Sequence, residues 1–156
     1  MSEFDLEKAF SVCITGHRVV EKDITREVVE KYLNALVERN FHTFYVGMAL
    51  GFDTLCFKIL EKIRLKTKIK IVACIPCLSQ PDKFSDLQKE EYFRMVESAD
   101  EKVVLSQRYT PYCMQKRNEY MVDKSGVVLA YLRREKSGTA NTVNYAKRTG
   151  VPVIKI

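Results

Sequence analysis

Residues 13–18 read CITGHR and end an apolar run that begins at Phe10. This run predicts a short buried strand over residues 10–15, followed by a loop that carries a glycine, a histidine and an arginine. A helical pattern with apolar residues every four positions begins at Asp23, and Phe41 to Val46 predicts a second strand. The chain therefore opens as strand, loop, helix, strand.

The same unit recurs along the rest of the chain. Asp53 precedes a helix, and further helices are predicted over residues 84–98, 113–122 and 139–148, the first of them with Leu87, Tyr92 and Val96 facing inward. Further strands are predicted over residues 69–75, 102–105, 127–132 and 152–156. This alternation predicts an α/β fold: one Rossmann-like domain over residues 1–156, with a doubly wound parallel sheet covered by helices on both faces.

Composition favours an ordinary globular protein, with 46% hydrophobic and 29% charged residues in 156. The N-terminus lacks a signal-peptide pattern and no apolar run is long enough to span a bilayer, so we expect a cytoplasmic protein without a membrane partner. The net charge of +6 comes largely from two groups, Lys62 to Lys70 and Arg133 to Lys136. Without interleaved aromatic residues, these groups favour solvated faces over a nucleic-acid track.

Five cysteines are an odd number, and most lie within apolar runs, which favours reduced, buried thiols. Cys74 and Cys77 form a CxxC, a spacing found in thiol–disulfide exchangers. Here the motif leaves a strand instead of opening a helix, and Pro76 keeps the following chain extended, which favours buried thiols over redox catalysis. With two histidines and no carboxylate cluster around them, no metal and no cofactor are predicted.

Loops that follow parallel strands open onto the same edge of the sheet, where ligands of such folds bind. After the second strand, Gly47 and Gly51 precede a helix start, an arrangement that exposes backbone N–H groups to an anion such as phosphate. The spacing matches neither a P-loop nor GxGxxG. Asp53 is interpreted either as the N-cap of this helix or as a group that binds ribose hydroxyls or acts as a general base.

Other residues at this edge can likewise be interpreted as structural or as ligand-binding. Ser137, Gly138 and Thr139 predict a second anion-binding helix start, or ordinary capping. Arg18 suits a forked phosphate contact, and His17 suits proton transfer or stacking, although a lone histidine is more often structural.

The fourth helix and the loop before it add a further candidate group. Arg117 and Asn118 lie on the helix, and Tyr109 and Tyr112 precede it. They predict either a solvated helix face with tyrosines that close the core, or a stacking surface with an amide that recognises a purine.

Four segments together resemble the YpsA-type branch of the SLOG superfamily, which includes the Smf/DprA proteins and the LOG enzymes: CITGHR (13–18), GMALGFD (47–53), KRNEYMVD (116–123) and SGTANTVNYA (137–146). The resemblance implies a Rossmann-like domain with a pocket for a nucleotide or nucleotide derivative, and suggests a homodimer. The implied binding residues are Thr15, Gly16, His17, Arg18, Gly47, Gly51, Asp53, Arg117, Asn118, Gly138 and Thr139.

One departure from the LOG enzymes bears on activity. Their PGGxGTxxE motif carries a catalytic glutamate, and aligning its GT pair with Gly138 and Thr139 places Thr142 at that position. A hydroxyl does not replace a carboxylate in activating water. A carboxylate from Asp53 or Glu119 would have to serve instead.

Three functions follow, in decreasing order of preference. The first is a nucleotide-binding sensor or sequestering module. The second is an N-glycosidic bond hydrolase or glycosyl-transferring enzyme with Asp53 and His17 as catalytic residues. The third is single-stranded nucleic-acid binding through Lys62 to Lys70, by resemblance to DprA.

Overall fold

Six parallel strands and six helices make up the computed structural model, which describes residues 2–156. The strands are β1 (Ser11–Gly16), β2 (Thr43–Val46), β3 (Lys70–Ile75), β4 (Glu101–Val104), β5 (Val127–Tyr131) and β6 (Val153–Lys155). The helices are α1 (Glu3–Ala9), α2 (Arg26–Glu38), α3 (Phe52–Arg64), α4 (Asp86–Ser98), α5 (Cys113–Asp123) and α6 (Gly138–Arg148). The predicted α/β doubly wound parallel sheet is confirmed.

The strand order is β4-β3-β2-β1-β5-β6. From β1 the chain moves outward through β2, β3 and β4, and then crosses back to β5 on the other side of β1. Within β1, Cys13 is in register with Tyr45 of β2 and with Val128 of β5. The strand order therefore reverses between β1 and β5, and the loops after these two strands flank the crevice where open α/β sheets bind ligands.

Helices cover the sheet on both faces. Val12, Ile14 and Phe44 belong to the core on the side of α2, α3 and α4, whereas Cys13 and Val128 belong to the core beneath α5 and α6. Strand residues alternate between the two cores because successive side chains of a strand point to opposite faces. Both faces being buried explains why the strands read as continuous apolar runs in the sequence.

At two helices, α1 and α2, the structure differs clearly from the sequence predictions. Helix α2 begins at Arg26 and not at Asp23, because the hydroxyl of Thr25 accepts the N–H of Val28 at 3.3 Å and caps the helix. Helix α1 was not predicted. It has no buried residues, so no apolar periodicity marks it, although Ser2 caps it in a capping box.

Leu87 was predicted to face inward, and this prediction was wrong. Its side chain is 79% exposed, whereas Tyr92 and Met95 of the same helix are buried. The first turn of α4 therefore leaves an apolar side chain uncovered near the carboxyl edge of the sheet. Within residues 2–156, no helix is long and apolar enough to cross a membrane.

Candidate functional site

The loops after β1 and β5 meet directly. Nε2 of His17 accepts the backbone N–H of Arg133 at 2.8 Å and that of Arg134 at 3.3 Å. His17 also contacts Tyr131, the last residue of β5, with ring centroids 5.4 Å apart. The histidine thus fixes the β5 loop against the β1 loop at the point where the strand order reverses.

A cavity of about 270 Å³ opens beside this junction, and we call it the polar cavity. The structure brings to it these residues from the sequence analysis: Thr15, Gly16, His17, Arg18, Asp53, Arg117, Asn118, Ser137, Gly138 and Thr139. Gly47 and Gly51 do not line it. Gly47 lies against Arg117, and Gly51 borders a neighbouring cavity.

Arg117 is buried and not on a solvated helix face. Its Nε donates to Oδ1 of Asn118 at 2.8 Å, and its Nη1 donates to the carbonyl oxygen of Gly47. Nε2 of Gln80 donates to the same carbonyl at 3.0 Å. Because a buried guanidinium is costly without partners, these contacts hold a positive charge at the base of the cavity.

Asp53 supplies a buried carboxyl group from the first turn of α3. Gly51, with φ of 85°, is the N-cap of this helix, so the interpretation of Asp53 as the N-cap was wrong. Oδ2 of Asp53 accepts the N–H of Ala49 at 3.1 Å, whereas Oδ1 is buried and has no hydrogen-bond partner in the described part of the chain. Burial raises the pKa of Asp53 to about 6, against the opposing effect of the Arg117 charge.

His17 is held in its neutral form. Burial and the nearby charge of Arg134 lower the pKa of the imidazole below its ordinary value. Since Nε2 accepts two backbone N–H groups, the proton of the neutral ring is on Nδ1. Nε2 of His17 therefore has a structural role, and only the Nδ1–H group can donate a proton to a ligand.

The N-terminus of α6 forms one wall of the cavity. Ser137 caps this helix, and its hydroxyl accepts the N–H of Ala140 at 3.1 Å. Gly138 and Thr139 follow at the first two helical positions, where backbone N–H groups have no partner within the helix. Capping and anion binding are compatible here, because the cap uses only the N–H group of Ala140. The first two N–H groups of the helix lie at the positive end of its dipole and can donate to an anion.

Two exposed arginines complete the positive charge around the cavity. Arg18 and Arg134 line it, and neither has an ion-pair partner within residues 2–156. Arg133 differs from them, because it pairs with Asp23 at 2.7 Å and with Glu21 at 3.4 Å. The charge available to a ligand therefore comes from Arg18, Arg134 and the buried Arg117.

Sequence reasoning missed Arg134, Gln80 and Ala49 as cavity residues. The charge pattern groups Arg134 with solvated residues, although its place between the end of β5 and the SGT segment is a usable signal for a cavity residue. Gln80 lies in the loop after β3, and its side chain is held at the site by hydrogen bonds to the carbonyl oxygen of Gly47 and from the hydroxyl of Tyr92.

Other predicted candidates lie away from the polar cavity. Glu119 does not line it, and its carboxylate accepts from Gln115 at 3.0 Å. Thr142 is fully buried in α6, where its hydroxyl donates to the carbonyl oxygen of Gly138 at 2.9 Å. Tyr109 and Tyr112 are 64% and 79% exposed, so they do not close the core.

All five cysteines are buried and free, including Cys74 and Cys77. Burial raises the pKa of Cys74 to about 12, which keeps this thiol protonated and poorly nucleophilic near neutral pH. Among residues 2–156 no cluster of three or more His, Cys, Asp or Glu side chains is arranged to hold a metal ion.

A parallel sheet with this strand order, and a crevice lined by arginines and a helix N-terminus where the order reverses, define a Rossmann-like α/β protein. The family model YpsA, described as the YspA SLOG family, matches residues 8–150. The chain belongs to this family, and the resemblance seen in the sequence is confirmed.

Relatives and solved structures agree with this assignment. The chain is 35% identical over 143 residues to the SPbeta prophage-derived protein YoqJ of Bacillus subtilis (strain 168), covering 82% of this chain and 81% of YoqJ. It is also similar to the UPF0398 protein BH1768 of Halalkalibacterium halodurans, with 23% identity over 135 residues, or 85% of this chain and 71% of that protein.

Two solved structures of DNA processing protein A (DprA) share the fold. The Streptococcus pneumoniae protein superposes with a TM-score of 0.69 and 22% identity over 97% of this chain, which spans 51% of that protein. The Helicobacter pylori protein, described for its single-stranded DNA binding mode, has a TM-score of 0.68 and 18% identity over 99% of this chain and 68% of its own. At these identities the likeness shows the fold.

Proposed function

We propose that this protein binds a nucleotide or nucleotide derivative, with a phosphate group in the polar cavity, and acts as a sensor or sequestering module. The observation that carries the proposal is the convergence of Arg18, Arg134 and the N-terminus of α6 on one cavity. Backbone N–H groups at a helix start and unpaired guanidinium groups are the donors that bind phosphate in proteins.

Asp53 adds a second requirement to the ligand. Its buried Oδ1 has no hydrogen-bond partner in the described chain, and an unsatisfied buried oxygen is costly. A ligand hydroxyl that donates to Oδ1 removes this cost. A phosphate and a nearby donor hydroxyl are together typical of a sugar phosphate, and carboxylates bind ribose hydroxyls in related Rossmann folds.

A thermal-shift panel tests the proposal with nucleoside mono-, di- and triphosphates, NAD, ADP-ribose and cyclic dinucleotides. A ligand at about a hundredfold excess over its Kd stabilises the folded state by about 2.7 kcal/mol, so we expect a shift of several degrees. The shift should vanish in Arg18→Ala and persist in Arg39→Ala, an exposed arginine after α2 at the opposite edge. No shift with any ligand would refute nucleotide binding.

A second candidate is hydrolysis of an N-glycosidic bond. It is favoured by one observation, the buried carboxyl of Asp53 with a pKa of about 6, which suits a general acid or base near neutral pH. Release of free base from a bound nucleotide, abolished in Asp53→Asn with binding retained, would establish the enzyme. Binding without base release supports the sensor.

Single-stranded DNA binding is the third candidate, favoured by the shared fold with the H. pylori protein. The basic segment proposed for it, Lys62 to Lys70, lies at the end of α3 and the start of β3, at the opposite edge from the polar cavity. Within it Arg64 pairs with Asp100 at 2.9 Å. An affinity that falls steeply with salt, and falls further in a Lys66→Ala, Lys68→Ala double variant, would support this track.

Homodimerisation and a cytoplasmic location remain predictions. Light scattering at several protein concentrations, with and without ligand, tests the first of them.

A further inference from the structure

We propose that a second cavity beside the polar cavity holds the base of the bound nucleotide. This inference rests on the proposed function, and it names which part of the ligand each cavity takes. The second cavity, which we call the apolar cavity, has a volume of about 580 Å³ and lies between the first turns of α3 and α4. Its apolar lining includes Met48, Leu50, Leu55, Phe84, Tyr92 and Met95.

The two cavities are separated by a wall one loop thick. Met48 and Leu50 line the apolar cavity, and Ala49 between them lines the polar cavity. The wall is braced, because Ala49 donates its N–H to Asp53 and accepts the hydroxyl of Thr54, each at 3.1 Å. A ligand therefore passes over a fixed edge from one cavity to the other.

Arg18 borders both cavities. A nucleotide has an anionic phosphate at one end and a planar, largely apolar base at the other. An exposed guanidinium between the two compartments suits this shape, since it contacts phosphate through its N–H groups and stacks on a base through its planar face.

The sizes of the cavities support placing the phosphate in the polar cavity and the base in the apolar cavity. At about 270 Å³ the polar cavity is smaller than the roughly 300 to 1,000 Å³ usual for small-molecule sites, whereas the apolar cavity at about 580 Å³ falls within that range. A phosphate with its sugar suits the first cavity. The base needs further space, and the neighbouring space is apolar.

Leu87 marks the mouth of the apolar cavity. It lines the cavity with its side chain 79% exposed, although the sequence pattern predicts that it faces inward. Gln88 beside it also lines the cavity, and its Oε1 already accepts the N–H of Ser85 at 2.9 Å. The amide N–H groups of Gln88 are thus what it offers to the edge of a base, while Leu87 offers apolar contact to its face.

A third cavity is also lined by Arg18 and is the alternative site for the base. It is lined by Tyr109 and Cys77 together with Ser79, Asp82 and Lys83. We favour the apolar cavity because its charged residues Lys58 and Glu91 pair with each other at 3.6 Å, whereas Asp82 and Lys83 in the lining of the third cavity make no ion pair within residues 2–156.

Isothermal titration with AMP, GMP, CMP, UMP and ribose 5-phosphate tests the assignment. Contact with an aromatic lining that includes Phe84 and Tyr92 favours binding of a base, so we expect the tightest-binding nucleotide to bind about tenfold or more tighter than ribose 5-phosphate. Leu87→Asp should remove most of this advantage and change the affinity for ribose 5-phosphate less than about twofold, because Leu87 does not line the polar cavity.

Two matched variants separate the outcomes. Leu65→Asp places the same charge at another exposed leucine, 85% exposed at the far end of α3, and should leave all affinities unchanged. Tyr109→Ala should have little effect. The inference is overturned if nucleotides and ribose 5-phosphate bind equally, or if Tyr109→Ala and not Leu87→Asp removes the advantage, and in both cases phosphate binding in the polar cavity stands. If neither nucleotides nor ribose 5-phosphate bind, the proposed function fails as well.

Discussion

Arg117 packs directly against Gly47. Its Nη1 donates to the Gly47 carbonyl oxygen, and a Cβ atom at position 47 would lie 2.8 Å from Nη1. The glycine that follows β2 thus leaves room for a buried guanidinium from α5. This contact links the loop after β2 to the positive charge that Arg117 places in the polar cavity.

Gly47→Ala should displace Arg117 and destabilise the protein by about 1 to 3 kcal/mol, the usual cost of overpacking. Urea denaturation measures this loss. Gly138→Ala is the matched control for stability, because a Cβ atom there meets nothing within 4 Å. Equal stability of the two variants would show that the Arg117 contact does not constrain position 47.

Asp53 should give the protein a measurable pH dependence of stability. Its folded-state pKa of about 6 lies above the unfolded value near 4, so the folded protein retains a proton that the unfolded chain loses between these values. The free energy of unfolding therefore falls as the pH rises from about 4 to about 6, by about 2 to 3 kcal/mol from this group.

Asp53→Asn should lack this fall, because the amide oxygen still accepts the N–H of Ala49 while the group carries no charge. Urea midpoints at several pH values measure the difference from wild type, which should grow between about pH 4 and pH 6 and then level off. Asp82→Asn, at an exposed loop position, should follow the wild-type curve. A wild-type and an Asp53→Asn curve that run parallel would contradict the raised pKa.

His17 should be the Nδ1-protonated tautomer, because Nε2 accepts the N–H groups of Arg133 and Arg134. Nitrogen-15 NMR of the two imidazole rings distinguishes it from His42, whose Nδ1 lies 2.9 Å from the Thr43 hydroxyl. An Nε2–H signal for His17 would exclude the described contact.

The lowered pKa of His17 also affects stability in acid. As the pH falls below about 6.5, the unfolded chain takes up a proton at this histidine before the folded protein does, so the free energy of unfolding decreases in this range.

Arg134→Ala should weaken nucleotide binding about tenfold or more, the effect of losing a charge-assisted contact to phosphate. Arg133→Ala should weaken it far less, because Arg133 already pairs with Asp23 and Glu21. Titration of both variants with the same ligand compares adjacent residues of equal charge. An equal loss would mean that the net positive potential, and not a specific contact, attracts the ligand.

Local patterns in the sequence predicted most of the fold. Strands buried on both faces appear as continuous apolar runs such as that ending at Thr15, and the helices between them show one apolar face. Helix α1 was not predicted because it buries no residue and so has no apolar periodicity. The exposure of Leu87 was not predicted because periodicity does not show which turns of a helix are covered by neighbouring elements.

The order of strands and helices, the parallel sheet and the edge at which the candidate residues lie can be predicted from local patterns, because periodicity and turn residues act over a few positions. The roles of individual residues become clear from the packed structure. Arg117 and Asp53 are buried side chains of one cavity, and Gly47 makes room for the arginine. Burial, pKa and close approach depend on residues that are distant along the chain, and no local pattern records those contacts.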